Sequence, residues 1–327
     1  MKRKILLAVA GLVGIVVLAA GGLVGFSAVT WDNPRDVEEV SLSASTDPSV
    51  IERGRYLAYG PAHCAYCHNT MENWERLDAG EHVPLVGGGE FKLPFGTFYA
   101  PNLTPDDETG IGRATDAQLA RMLRHNVRVN GRVAIPFMEF QDLSDEDVVA
   151  VISFLRSQEP VRNEVPDAEV SLIGKVLLTF MIKPIDGEPP ATAPAEEATI
   201  ERGRYVATNV ANCSGCHSKR SMVDGSYLSE PFSGGMVMTL DSDPTRGFVT
   251  PNLTPHRATG RIANWSEDQF VARFRAGPQF EGSHMPWNAF MRMSDTDLRA
   301  IYRFLMSLEP VESVTPAGIV EVASLEE

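Results

Sequence analysis

The chain has 327 residues, 43% of them apolar, and a net charge of −14. That length admits two ordinary domains, and the apolar content excludes wholesale disorder. The acidic balance excludes nucleic acid as a main partner, because phosphate binding needs a cationic surface. Four cysteines are too few for a small secreted disulfide scaffold. They are Cys64, Cys67, Cys213 and Cys216, in two identical C-x-x-C spacings, each followed by a histidine.

Lys2, Arg3 and Lys4 precede an uncharged run from Ile5 to Trp31. A helix over that run reaches about 40 Å, enough to cross about 30 Å of hydrocarbon with some tilt. A cleaved signal peptide would have a shorter apolar stretch and a small-x-small cleavage site, whereas Phe26-Ser27-Ala28 begins with a bulky ring. The expectation is an uncleaved transmembrane anchor over residues 5–30. Leading cations orient such a span with its N-terminus in the cytoplasm, so the rest lies on the periplasmic side of a bacterial inner membrane.

Beyond the anchor the chain repeats itself. Ile51-Glu52-Arg53-Gly54-Arg55-Tyr56 recurs as Ile200-Glu201-Arg202-Gly203-Arg204-Tyr205, and Cys64, Cys67 and His68 recur as Cys213, Cys216 and His217. Pro101-Asn102-Leu103-Thr104-Pro105 recurs as Pro251-Asn252-Leu253-Thr254-Pro255, and Glu159-Pro160-Val161 as Glu309-Pro310-Val311. Blocks in register at so long a period mean duplicated domains, not a solenoid. The expected units are 48–161 and 198–312. A proline-rich linker fills 162–197, and residues 313–327 read as an acidic, mobile tail. Within the linker, Val170 to Ile182 is largely apolar but too short to span a bilayer. It reads as a short helix packed on the domains or, alternatively, resting on the membrane surface beside the anchor.

Most of the secondary structure reads as helix. Val148, Val151, Ile152 and Leu155, and likewise Leu298, Ile301, Tyr302 and Leu305, form one buried stripe each. Ser144 and Ser294 stand where N-caps belong. Thr115 and Ser266 should cap a second helix in each unit, with Leu119 and Leu123, or Phe270 and Phe274, facing inward. The ERGRY segments begin helices leading toward the cysteines. No convincing strand alternation is present, so 84–104 and 228–255 read as irregular loop.

C-x-x-C-H is a covalent haem c attachment motif. Two thiols three positions apart reach the two vinyl groups on one porphyrin edge, and the adjacent histidine supplies the proximal nitrogen. Cys64-Ala65-Tyr66-Cys67-His68 and Cys213-Ser214-Gly215-Cys216-His217 would therefore hold two haems. Zinc would have to join two pairs 149 residues apart. A redox dithiol lacks its strand–helix–strand setting, and a structural disulfide leaves the histidines unexplained. The sixth ligand decides between electron transfer and oxygen or peroxide chemistry. Met138, in Ile135-Pro136-Phe137-Met138, and Met285, in His284-Met285-Pro286-Trp287, lie 71 and 69 residues past the second cysteine. Strict register instead aligns Met285 with Ile135 and Met138 with Asn288, so either the loop has shifted locally or the two ligands are not equivalent. His63, His82, His125, His256 and His284 read as surface or supporting residues, not ligands. The Pro-Asn-Leu-Thr-Pro segments would hydrogen-bond near a propionate or simply turn the chain. The ERGRY arginines would pair with propionates or face solvent.

Together, C-x-x-C-H, the Pro-Asn-Leu-Thr-Pro loop followed by Thr109-Gly110-Ile111-Gly112, the Met285-Pro286-Trp287 segment and Ser294-Asp295-Thr296-Asp297-Leu298 resemble the cytochrome c subunits of membrane-bound alcohol and gluconate dehydrogenases. The resemblance implies a mainly α fold of two tandem class I cytochrome c domains behind the transmembrane helix. It implies His68 and His217 as proximal ligands and a downstream methionine as distal ligand in each. Those subunits carry three haem domains, and two C-x-x-C-H sites are present here. The expected function is electron transfer in the periplasm, as a membrane-anchored carrier. The donor would be a dehydrogenase or quinol-oxidising complex and the acceptor a terminal oxidase or another cytochrome. A dihaem peroxidase is the competing reading. It requires one iron with a free coordination position, against which stand two methionines at matched spacing.

Overall fold

The computed structural model describes residues 2–221 and 225–325. Helix α1, Lys2–Thr30, is a single apolar helix with most of its described side chains exposed, long and apolar enough to cross a membrane. From Trp31 the chain runs extended across the body to Asp47, pinned where Ala44 N–H donates to Asp116 (2.8 Å) and Ser45 N–H to Ser153 (2.7 Å).

The next elements occur twice in the same order. The first series is α2 (Pro48–Tyr59), α3 (Cys64–Cys67), α4 (Trp74–Asp78), β1 (Glu90–Leu93), β2 (Gly96–Tyr99), α5 (Asp116–His125) and α6 (Asp145–Ser157). After β3 (Glu169–Val170) and α7 (Leu172–Phe180) come α8 (Ile200–Tyr205), α9 (Cys213–Cys216), β4 (Val237–Leu240), β5 (Asp243–Val249), α10 (Glu267–Arg275), α11 (Trp287–Phe290), α12 (Asp295–Met306) and β6 (Ile319–Glu321). Among the described residues the second series has no counterpart of α4, and α11 has none in the first.

The caps are where local sequence puts them. Ser144 and Ser294 accept from the Asp147 and Asp297 N–H groups, and Thr115–Gln118 and Ser266–Gln269 form reciprocal capping boxes. Val148, Val151, Ile152 and Leu155 are buried, as are Leu298, Ile301 and Leu305, while Tyr302 is half-buried.

The ERGRY helices pack against the last helix of each half. At Gly54 an added Cβ would lie 1.9 Å from the Ala150 carbonyl oxygen, and at Gly203 1.9 Å from that of Ala300. Glycine is the side chain that lets two backbones approach this closely. The first arginine of each ERGRY segment neither faces solvent nor stands free for a propionate, whereas Arg55 is half-buried and Arg204 exposed. Arg53 forks onto Asp147 (2.8 and 2.9 Å) and Arg202 onto Asp297 (2.7 and 3.2 Å).

Two expectations fail. The stretches read as loop contain antiparallel hairpins, β1–β2 and β4–β5, each completed by a third strand. Glu90-Phe91-Lys92-Leu93 alternates but is only four residues long, and Gly96-Thr97-Phe98-Tyr99 does not alternate, so the pairing identifies these strands, not the pattern. The third strands come from segments read as linker and tail. Val170 pairs with Gly96, and Ile319 to Glu321 pair with β5, so the tail is docked through residue 321 and continues as a 3₁₀ turn to Leu325. Glu326 and Glu327 lie outside the described residues. The linker also lines the first half: Ile185 N–H donates to His125 O, and Asp145 N–H to Pro190 O.

Candidate haem-attachment sites

Each C-x-x-C segment is one helical turn, entered from a left-handed residue, His63 (φ 42°) or Asn212 (φ 45°). The turn closes when the histidine N–H donates to the first cysteine's carbonyl, at 2.8 Å in both halves. One turn puts both thiols and the histidine on a short, stiff platform.

The histidines are buried, His68 5% exposed and His217 8%. Their Nδ1 atoms lie 2.9 Å from Pro101 O and 3.1 Å from Pro251 O. A carbonyl can only accept, so Nδ1 carries the proton. In a neutral ring that leaves the lone pair on Nε2, the nitrogen free to bind a metal. Burial keeps the rings neutral, pushing His68 down to about 4 and His217 below its usual value. This is the orientation a haem-ligating histidine needs.

The proline is the first residue of the repeated Pro-Asn-Leu-Thr-Pro segment. Its role was missed in the sequence, though the signal was there in the segment's recurrence at matched positions. The asparagine does not turn toward a propionate. Asn102 is buried, donates to Val161 O (2.8 Å) and accepts from Thr104 N–H and Oγ1. Asn252 repeats this with Val311 and Thr254. The loop is thus tied to the exit of the last helix while its proline carbonyl holds the histidine.

A glycine turn holds the histidine's own backbone. Gly87 (φ +80°) donates to His68 O at 2.9 Å and Gly234 (φ +74°) to His217 O at 2.8 Å. An added Cβ at Gly87 would lie 2.5 Å from Asn102 N, and at Gly234 2.4 Å from Thr250 O.

The four cysteines are free thiols. Burial pushes Cys64 and Cys213 up to about 12, with Cys67 and Cys216 also raised. A reactive dithiol needs the opposite, a lowered pKa. Among the described residues no cluster of three or more His, Cys, Asp or Glu is placed to hold a metal ion, so the two C-x-x-C pairs do not meet as a zinc site. Near the first site, half-buried Arg128 lowers the pKa of His68, and burial lowers its own. That donor set, a neutral buried imidazole with free Nε2 beside two unpaired thiols, fits covalent haem c.

Met138 and Met285 lie in the loops before the last helix of each half, partly buried and packed against the core. The remaining histidines are engaged elsewhere. His63 sets its Nδ1 3.2 Å from Pro61 O, and His82 stacks on Tyr59. His125 bonds Ile185 O, His256 bonds Thr259, and His284 lies 2.7 Å from Thr239 O.

The two halves share a seam. The residue before the first cysteine of each touches the segment beyond the methionine of the other. His63 packs edge-on to Phe290, and Asn212 donates to Glu139, which also pairs with Arg220 at 2.8 Å.

No protein-family model matches the chain. It is 30% identical over 284 residues to the cytochrome c subunit of a quinone-type alcohol dehydrogenase from Gluconobacter oxydans, covering 81% of this chain and 56% of that protein. It is 27% identical over 301 residues to the gluconate 2-dehydrogenase cytochrome c subunit of Pantoea cypripedii, covering 88% and 63%. A diheme cytochrome c-type protein of Cereibacter sphaeroides is 28% identical over 266 residues, covering 76% of this chain and 83% of that protein. The chain spans little more than half the length of the dehydrogenase subunits it matches. By residues and by relatives alike, the chain is a homologue of the cytochrome c subunits of alcohol and gluconate dehydrogenases and of a dihaem c-type cytochrome.

Proposed function

We propose that this chain is a membrane-anchored dihaem cytochrome c, an electron carrier and not an enzyme, built of two class I cytochrome c domains on the periplasmic side of a bacterial inner membrane. Cys64 and Cys67 would hold one haem and Cys213 and Cys216 the other. His68 and His217 would be the proximal ligands, Met138 and Met285 the distal ones. Bound there, haem supplies one-electron oxidation and reduction. The chain's own residues fix each imidazole, exclude water from the ring and set the two sites against one seam. The observation that carries this reading is the paired His68–Pro101 and His217–Pro251 contact, which presents Nε2 twice in the same way.

Electrons would come from a dehydrogenase or quinol-oxidising complex and go to a terminal oxidase or soluble cytochrome. The relatives' dehydrogenase subunits support the first part. An acidic surface favours basic, salt-sensitive partner faces.

The test is spectroscopic. Haem content and mass should give two covalently bound haems per chain, and reduced protein should bind little carbon monoxide. Oxidised protein should show the thioether-to-iron charge-transfer band, reduced by half in Met138→Ala or Met285→Ala and lost in the double variant. A band retained at full strength in the double variant removes both methionines from the ligand set. Strong carbon monoxide binding at one haem would favour the peroxidase reading.

A further inference from the structure

We infer that α7 is a second membrane contact, lying in the headgroup–acyl boundary of the bilayer beside the end of α1. The inference rests on reading α1 as a span. Helix α7 has two apolar faces. On one, Gly174 and Leu178 are buried, with Gly174 so close to the first hairpin that an added Cβ would lie 2.4 Å from Phe95 O. On the other, Leu172 (59% exposed), Ile173 (72%) and Phe180 (41%), with Met181 (44%) just beyond, are exposed. Solvent exposure of four large apolar side chains on one short segment is unfavourable unless something apolar covers them.

Continuity with α1 identifies that cover as lipid. Phe180 lies 6.1 Å, ring to ring, from Phe26, in the last turns of α1, and Ser27 is fully buried. Arg35, just past α1, donates to Thr179 O at 3.2 Å. The exposed apolar surface of α1, through Leu23, Phe26 and Val29, therefore runs on into that of α7. The polar groups at this place suit a membrane interface. The Trp31 ring lies at the end of α1 beneath Arg132 (5.2 Å) and Lys175 (5.6 Å), and Lys183 follows α7. Tryptophan and snorkelling cations gather at headgroup level. Asp32 is also here, paired with Arg132 at 2.7 Å, as is Asp186 beside His125. A lone span leaves the attached body free to tilt and rotate. A second contact rigidly joined to the first half fixes how that half faces the surface.

The experiment uses the full holoprotein in vesicles of phosphatidylethanolamine and phosphatidylglycerol. With the four motif cysteines consumed by haem, an introduced cysteine is the sole free thiol. A benzophenone maleimide is attached to Ile173→Cys, Phe180→Cys, Leu18→Cys and Asp241→Cys variants, illuminated, and the protein weighed. We expect a mass gain of one phospholipid at Ile173 and Phe180 in yields like that at Leu18, with none at Asp241. Adducts at Leu18 without adducts at Ile173 and Phe180 would overturn the α7 contact and leave the anchor standing. Absence of adducts at Leu18 as well would overturn both.

Discussion

The Tyr56 hydroxyl donates to Asp297 at 2.6 Å, and Tyr205 donates to Asp147 at 2.7 Å, so each half closes the other's ion pair. The same hydroxyls accept from the N-caps Ser294 N–H (3.1 Å) and Ser144 N–H (3.0 Å). One repeated hexapeptide thus does three jobs. Its arginine pairs within its own half, its glycine admits the last helix, and its tyrosine joins the halves.

Tyr56→Phe and Tyr205→Phe should each cost about 1.5–3 kcal/mol, the value of a hydrogen bond to a charged group. Denaturant melts of the single and double variants measure this. Burial and the facing carboxylates also raise both phenols above their ordinary value of 10.0. Their neutral forms are favoured by folding, so this stability is complete below about pH 10 and drains away as pH rises toward the folded-state values. Alkaline melts should steepen above pH 10 in the parent and flatten in the double variant. Tyr59, pushed up to about 12 by burial, leaves a residual slope.

The two buried ion pairs differ in exposure, and their loss should differ too. Arg202 and Asp297 are 1% and 3% exposed, while Arg53 is 18% exposed and also reaches Glu196 at 3.0 Å. Asp297→Ala leaves the buried Arg202 guanidinium with Pro194 O (3.0 Å) and the more distant Glu196 (3.9 Å), and should cost about 3–5 kcal/mol. Asp147→Ala should cost less, because Arg53 keeps Glu196 at 3.0 Å and some water. Urea unfolding of the two variants side by side tests the order.

Gly54→Ala and Gly203→Ala place a methyl inside the van der Waals shell of a backbone oxygen that cannot move without its helix. Overpacking of this kind costs about 1–3 kcal/mol, and a clash with fixed backbone lies at the upper end of that range. Reduced yield of folded, haem-loaded protein together with a lowered melting temperature is expected. Gly80→Ala, where an added Cβ meets nothing within 4 Å but φ is +94°, separates steric from conformational cost.

Asn102→Ala removes the bond to Val161 O and leaves the buried Thr104 N–H without its acceptor, at about 1–3 kcal/mol. Because Pro101 precedes it, the loop that orients His68 should loosen. The matching shift in the haem spectrum, at the first site only, is the readout that a purely structural loss would not give. Asn252→Ala should act in the same way on the second site.

The sequence by itself determined what depends on near neighbours. The two C-x-x-C-H sites, the duplication, the four N-caps and the buried stripes of α6 and α12 are set by spacings of a few residues, where helix geometry and side-chain chemistry leave little choice. The long apolar run likewise made α1 a helix of membrane-crossing length.

Only the tertiary structure decided the rest, because its partners lie far apart in the chain. His68 and Pro101 are 33 residues apart, Arg53 and Asp147 94, and Tyr56 and Asp297 241. No local pattern distinguishes an arginine bound for an aspartate on another helix from one facing water. The hairpins were hidden for the same reason, since strands of four to seven residues take their identity from the neighbour they pair with. Packing against the first hairpin and the end of α1, not its own sequence, determined which face of α7 is left uncovered.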